Sequence, residues 1–151
     1  MSDPLYRKEI LRLAADAHGA GHLSHSDLAS RSDLAGAAHN PTCGDKVTVE
    51  LALDPGGRVI AMAHDTKACV LAQASASILG DRLKGARQED VEALANAVAA
   101  MLVSNGEPPA PPFEPYGAFQ GAVTHRNRHR CVLLPIEAVL NAFEQEPNQA
   151  A

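Results

Sequence analysis

The stretch 47-VTVELALDPGGRVIAMAH-64 decides how this chain folds. Val47, Val49, Leu51 and Leu53 alternate with Thr48, Glu50 and Ala52, the period of two that puts one face of a strand in a core. Asp54-Pro55-Gly56-Gly57 follows with turn chemistry: proline presets φ, and glycines accept positive φ. Arg58 to His64 returns as a second strand, so the segment is a β-hairpin.

Downstream, His64-Asp65-Thr66-Lys67-Ala68 leads to Cys69, which opens an alanine-, serine- and leucine-rich run to Gly80. The run holds no breaker, so it reads as a buried helix with Cys69 at or near its N-terminus. Upstream, Asn40-Pro41-Thr42-Cys43-Gly44-Asp45 is turn-like and places a thiol and a carboxylate two residues apart. Between His22 and Asn40 the residues are mostly Ser, Asp, Gly, Ala and His with scattered leucines, which predicts an irregular stretch with at most one short helical turn. Ahead of it, Leu5, Ile10, Leu13 and Ala17 predict a helix with Asp3 as N-cap, Pro4 at its first position and Gly19 and Gly21 as stops.

Val91, Leu94, Ala95, Val98 and Leu102 keep helical spacing, and Glu89, Asp90 and Glu92 sit in the first turn where the dipole favours anions. Five prolines between Pro108 and Pro115 then predict a stiff surface loop at about 106–118. The last helix is expected over Leu134 to Phe143. Proline fits best in a helix's first turn, so Pro135 predicts that Cys131 lies at or just before the helix start. There the unpaired N–H groups, together with Arg126, Arg128 and Arg130, are expected to lower the thiol pKa.

With 151 residues the chain fits a single domain, 1–151, able to bury roughly 68–70% of its unfolded surface. A net charge of −5 and a pI near 5.7 argue against a general nucleic-acid binder, which needs a basic face. No run reaches the ~18 apolar residues of a membrane span, and the N-terminus lacks a signal-like apolar run, so no membrane partner and a cytoplasmic location are expected. Three scattered cysteines do not make a disulfide scaffold, which predicts reduced thiols.

Folding can bring such distant thiols together cheaply. Closing the 62-residue span from Cys69 to Cys131 costs roughly 0.8 kcal/mol more than closing the 26-residue span from Cys43 to Cys69. If they converge, three thiolates and the Asp45 carboxylate make a four-ligand set acceptable to tetrahedral zinc, or one cysteine short of what a settled iron–sulfur cluster prefers. Taken singly, each has a plainer reading. A cytosolic cysteine is usually a small core residue, an aspartate beside a glycine is usually a turn residue, and an arginine cluster is usually solvated. His64 and His129 are further candidate ligands.

Leu5-Tyr6-Arg7, Asn40-Pro41-x-Cys43-Gly44-Asp45, Cys69 with Ala74-Ser75-Ala76-Ser77, and Arg128-x-Arg130-Cys131 occur in that order. From about residue 5 to 143 the chain resembles the IscU/SufU/NifU N-terminal family of iron–sulfur cluster assembly proteins. The long proline-rich interval before Cys131 is most like the SufU branch. The resemblance implies an α+β fold, a small antiparallel sheet of about three strands packed against helices in the SufE/NifU-like manner. It further implies a metal site of Cys43, Asp45, Cys69 and Cys131, holding Zn²⁺ in SufU-like members and a [2Fe–2S] cluster in IscU-like ones. SufU-like relatives accept persulfide from a pyridoxal-phosphate (PLP) cysteine desulfurase. On that basis Cys43 is the expected acceptor, Cys131 the alternative, and Arg128 and Arg130 the docking residues.

The chain departs from the family pattern in reading Lys67-Ala68-Cys69 where Gly-Cys is usual. It also has Arg130 where the IscU type has histidine, and it lacks an LPPVK-like chaperone motif before Cys131. The expected function is a zinc-containing sulfur carrier that serves downstream cluster assembly or acceptor proteins, an accessory protein rather than a stand-alone enzyme. The alternatives are a scaffold that assembles and transfers a [2Fe–2S] cluster, with Asp45 making it labile, and a zinc-stabilised adaptor that moves no sulfur.

Overall fold

The computed structural model describes residues 7–23, 32–42, 44–104 and 106–145. Three antiparallel strands, β1 (Ser32–Asn40), β2 (Asp45–Leu53) and β3 (Val59–Lys67), form one sheet in the order β1-β2-β3. Four α-helices accompany it among the described residues: α1 (Lys8–Asp16), α2 (Val70–Arg82), α3 (Gln88–Ser104) and α4 (His129–Phe143). This is an α+β architecture, as expected. None of these helices is long and apolar enough to cross a membrane.

The hairpin forms where the alternation places it. Val47, Val49 and Leu51 are fully buried, Leu53 nearly so, and Val49 lies opposite His64 in the antiparallel register. At the turn Asp54 Oδ1 accepts the Arg58 N–H at 2.9 Å, and Gly57 takes φ +84°.

Over Ser32–Asn40, strand β1 corrects the expectation of an irregular stretch between His22 and Asn40; residues 24–31 of that stretch lie outside the described residues. Leu34 and Asn40 are buried, while Asp33, Ala35, Ala37 and His39 are exposed. The alternation is present but carried by small and polar residues of low strand propensity, so packing decides it. A Cβ built on Gly36 would sit 2.3 Å from the Ala142 nitrogen and 2.5 Å from the Ala138 carbonyl oxygen. Only glycine lets α4 lie directly on this strand. Asn141 Nδ2 then donates to the Ala37 carbonyl at 2.8 Å.

Helix α2 is the central post of the helical layer, buried on nearly every side from Leu71 to Leu79. Gly80 admits the backbone after α1, since a Cβ there would meet the His18 carbonyl oxygen at 2.0 Å. Ser77 Oγ accepts the His18 N–H at 3.0 Å. Of α1, the described part begins at Lys8 after Arg7, with Ile10 fully buried; the expected cap at Asp3 and Pro4 lies outside the described residues.

Helix α4 begins earlier than expected, at His129, so Pro135 lies inside it and Cys131 is its third residue. The ring is buried, and Pro135 supplies no N–H to the Cys131 carbonyl four residues back. The proline-rich stretch leads into a 3-10 helix, Glu114–Ala122, that sinks Tyr116 and Phe119 completely into the core. Their ring centroids are 5.7 Å apart, a tilted aromatic pair.

Candidate metal centre

Three element starts meet at one end of the sheet. Asn40 closes β1 and pairs with Asp45, the first residue of β2. Its side-chain oxygen accepts the Thr42 N–H at 3.1 Å and its carbonyl accepts the Gly44 N–H at 2.8 Å. Gly44 completes the bend at φ +78°, where a β-carbon would be strained. Cys69 is the N-cap of α2, in extended conformation, and its side chain makes no capping bond. Gln73 holds that corner, its N–H on the Cys69 carbonyl at 3.0 Å and its Nε2 on the Ala68 carbonyl at 2.9 Å. Ala17 is the one non-glycine described residue with positive φ, so Ala68 occupies its place before Cys69 without left-handed strain.

Asp45, Cys69 and Cys131 each offer a ligand atom, and these atoms all lie within 4.8 Å of one another. Cys131 Sγ is 3.8 Å from Asp45 Oδ2. A tetrahedral ion with bonds of about 2.0–2.3 Å separates its donors by about 3.3–3.8 Å, so the spacing suits zinc with little adjustment. Asp45 and Cys131 are buried and Cys69 is partly open. Two thiols and one carboxylate in a shielded corner match zinc or an iron–sulfur cluster far better than calcium or magnesium, which want oxygen donors.

The expected lowering of the Cys131 pKa is overturned. Burial pushes this thiol up to about 12, with Cys69 and Asp45 adding in the same direction, while the Arg128 guanidinium pulls it down. Desolvation and crowding by other acidic groups outweigh the nearby cation. In the metal-free protein Cys131 therefore keeps its proton at neutral pH, and a bound cation must displace it.

Among known proteins, the family described as NifU-like N terminal domain matches residues 5–114. A crystal structure of the N-terminal part of a nitrogen-fixing NifU-like protein from Brucella abortus is 32% identical, covering 99% of this chain and 98% of that one, with a TM-score of 0.84. The chain belongs to the NifU-like N-terminal domain family. A second crystal structure, of a protein from Fervidobacterium islandicum described as an iron–sulfur cluster assembly scaffold for the SUF system, shares the fold of this NifU-like domain. It reaches a TM-score of 0.74 at 20% identity, over 95% of this chain and 99% of that one. Iron-sulfur cluster assembly protein 2 of Arabidopsis thaliana is 27% identical over 96 residues, 64% of this chain. The NifU-like domain covers 57% of the length of that curated relative.

Of the residues singled out in the sequence, Cys43 lies outside the described residues. Arg128 is half-buried as the N-cap of α4 and acts electrostatically on Cys131. Arg130 is exposed, with Glu137 3.6 Å away. The two histidines are engaged elsewhere. His64 Nε2 donates to the His18 carbonyl at 2.9 Å and its Nδ1 pairs with the Thr66 hydroxyl at 2.8 Å. His129 Nε2 contacts the carbonyls of Ala122 and Val123 at 2.9 and 3.1 Å.

Sequence reasoning missed the polar contacts behind the site. Ser75 and Ser77 look like small helix-interior residues, yet both are fully buried with hydroxyls that make long-range bonds. A serine repeated at every second position in an otherwise apolar helix is the signal that could have found them, because a buried hydroxyl needs a partner.

Proposed function

We propose that this NifU-like domain is a sulfur carrier of iron–sulfur cluster assembly, holding Zn²⁺ with Cys43, Asp45, Cys69 and Cys131. The observation that carries the reading is the meeting of Asp45, Cys69 and Cys131 within 4.8 Å from three separate elements. Cys43, two residues before Asp45 in sequence, is the fourth ligand and the acceptor. Bound zinc would keep the thiols deprotonated and shield them from oxidation.

The donor is a persulfide on a PLP-dependent cysteine desulfurase. The Cys43 thiolate attacks the terminal sulfur of that persulfide, forming a new S–S bond. The old S–S bond breaks, and the desulfurase cysteine leaves as a thiolate. No electrons are gained or lost overall, so no external reductant is needed. Partly exposed Cys69 keeps one side of the centre open to a partner, while buried Cys131 and Asp45 anchor the other. Arg128 and Arg130 form the docking edge, Arg128 near the thiols and Arg130 on the outer surface.

A second reading, a scaffold that builds and passes on a [2Fe–2S] cluster, is supported by the names of the relatives and by the carboxylate corner. A carboxylate is a hard, weak donor for iron–sulfur chemistry and favours release. Metal analysis of protein purified without added iron or zinc separates the two. The carrier is colourless with one zinc per chain and gains one sulfur after incubation with a desulfurase and cysteine; the scaffold is brown. Cys43→Ser abolishes sulfur uptake if Cys43 is the acceptor. Undiminished uptake in that variant, with loss in Cys131→Ser, moves the role to Cys131.

A further inference from the structure

Helix α4 brings Cys131 to the site on a turn that lacks part of its own support. Pro135 gives no N–H to the Cys131 carbonyl, so the usual bond between those residues is missing where the thiol must be held. The next carbonyl along, Val132, accepts a hydrogen bond from Ser75 Oγ at 2.7 Å. Ser75 stands on α2, six residues after Cys69. Its single hydroxyl proton goes to Val132, leaving the Tyr116 hydroxyl as the donor, aimed at Ser75 Oγ at 2.9 Å and at the Ser75 carbonyl at 3.1 Å. Burial holds the Tyr116 phenol well above its ordinary pKa, so it remains a neutral donor. Ser75, Tyr116 and Val132 are all fully buried.

We infer that Ser75, oriented by Tyr116, is the positioning residue that ties the Cys131 turn of α4 to the Cys69 helix α2 and so sets the spacing of these two thiols. The inference rests on reading Cys131 as a ligand of the centre, but its physical content is the placement of a thiol, which can be measured without metal. Ser75 acts through the backbone that follows Cys131, by way of the Val132 carbonyl. A hydrogen bond between two buried partners in a low-dielectric interior fixes geometry strongly because neither can turn to water instead.

Ser77 provides an internal control. It is on the same helix, equally buried, and bonded to the His18 backbone after α1 rather than to the backbone of α4. In metal-free protein, Ser75→Ala is expected to speed alkylation of Cys131 by iodoacetamide several-fold, read peptide by peptide by mass spectrometry, while Cys69 is unaffected. Ser77→Ala, despite a comparable loss of thermal stability, leaves both rates unchanged. In zinc-loaded protein, Ser75→Ala is expected to weaken zinc about tenfold in chelator competition, the scale typical of residues that orient ligands. Should Ser75→Ala fail to fold, Tyr116→Phe keeps the Ser75–Val132 bond but frees the serine rotor, and should move Cys131 alkylation the same way by less. Unchanged Cys131 reactivity, or the same acceleration in Ser77→Ala, overturns the inference. A wild-type protein that binds no zinc sinks the metal-centre reading instead, and the alkylation comparison then decides this one.

Discussion

Asp45 and Cys131 face each other across 3.8 Å, yet they are unequal donors. A thiolate is the softer ligand and gives zinc more covalent character, whereas a carboxylate is hard and competes readily with water. Their environments differ as well: the Cys131 proton must be driven off against a pKa raised to about 12. Once displaced, it leaves a buried thiolate that depends on the cation for stabilisation. Cys131→Ser is therefore expected to lower zinc affinity at least 100-fold, roughly 2.8 kcal/mol at 1.4 kcal/mol per decade, and Asp45→Ala only about tenfold. Competition with a chromophoric chelator measures both. The reverse order would mean that the carboxylate, and not the thiol, anchors the ion.

At the scale of elements, what was legible depended on how side chains announce themselves. The β2–β3 hairpin was legible because large apolar residues alternate around an Asp-Pro-Gly-Gly turn, and α2 because Cys69 precedes an unbroken small-residue run. Strand β1 was not, because Gly36 and its small neighbours carry their information in the close approach of α4, which exists only after folding. The start of α4 was misjudged for a related reason: Pro135 belongs in a first turn by local rules, but burial in the core holds it mid-helix. At the centre, cysteine spacing and motif order made the candidate ligands visible, while the raised Cys131 pKa and the Ser75 tie depend on burial and stayed hidden.

The junction of β3 with the segment after α1 carries a testable polar contact of this kind. His64 pairs by backbone bonds with Gly19 and Gly21 and by its ring with the His18 carbonyl. Burial lowers its pKa from 6.5, against the opposing pull of the His18 carbonyl and Asp65. Below pH 6.5 the unfolded chain takes up a proton that the folded ring resists, so this histidine's contribution is complete above that pH and fades as acid is added. The stability advantage of wild type over His64→Gln, from urea unfolding, should narrow between pH 8 and pH 5. A gap constant across that range would mean that the ring titrates as if exposed.

For the whole molecule, an ion bound at the proposed centre would act as a cross-link. Its candidate ligands come from the first residue of β2, the cap of α2 and the first turn of α4, three elements that otherwise meet through the core. An ion held there binds the folded chain and not the unfolded one, because no preformed site survives unfolding. At free zinc 100-fold above the dissociation constant the folded state gains about 2.7 kcal/mol. For a chain of 151 residues, ~2–4 °C per kcal/mol makes that a rise of about 5–11 °C in Tm. Calorimetry of zinc-loaded and chelator-stripped protein should show this difference. Cys69→Ser, which removes the ligand at the α2 cap without disturbing a capping bond, should erase most of it while leaving the stripped Tm nearly unchanged. Equal melting temperatures with and without zinc, in a protein that demonstrably binds the ion, would mean that these three elements are set by packing alone and that the metal only occupies a corner already built.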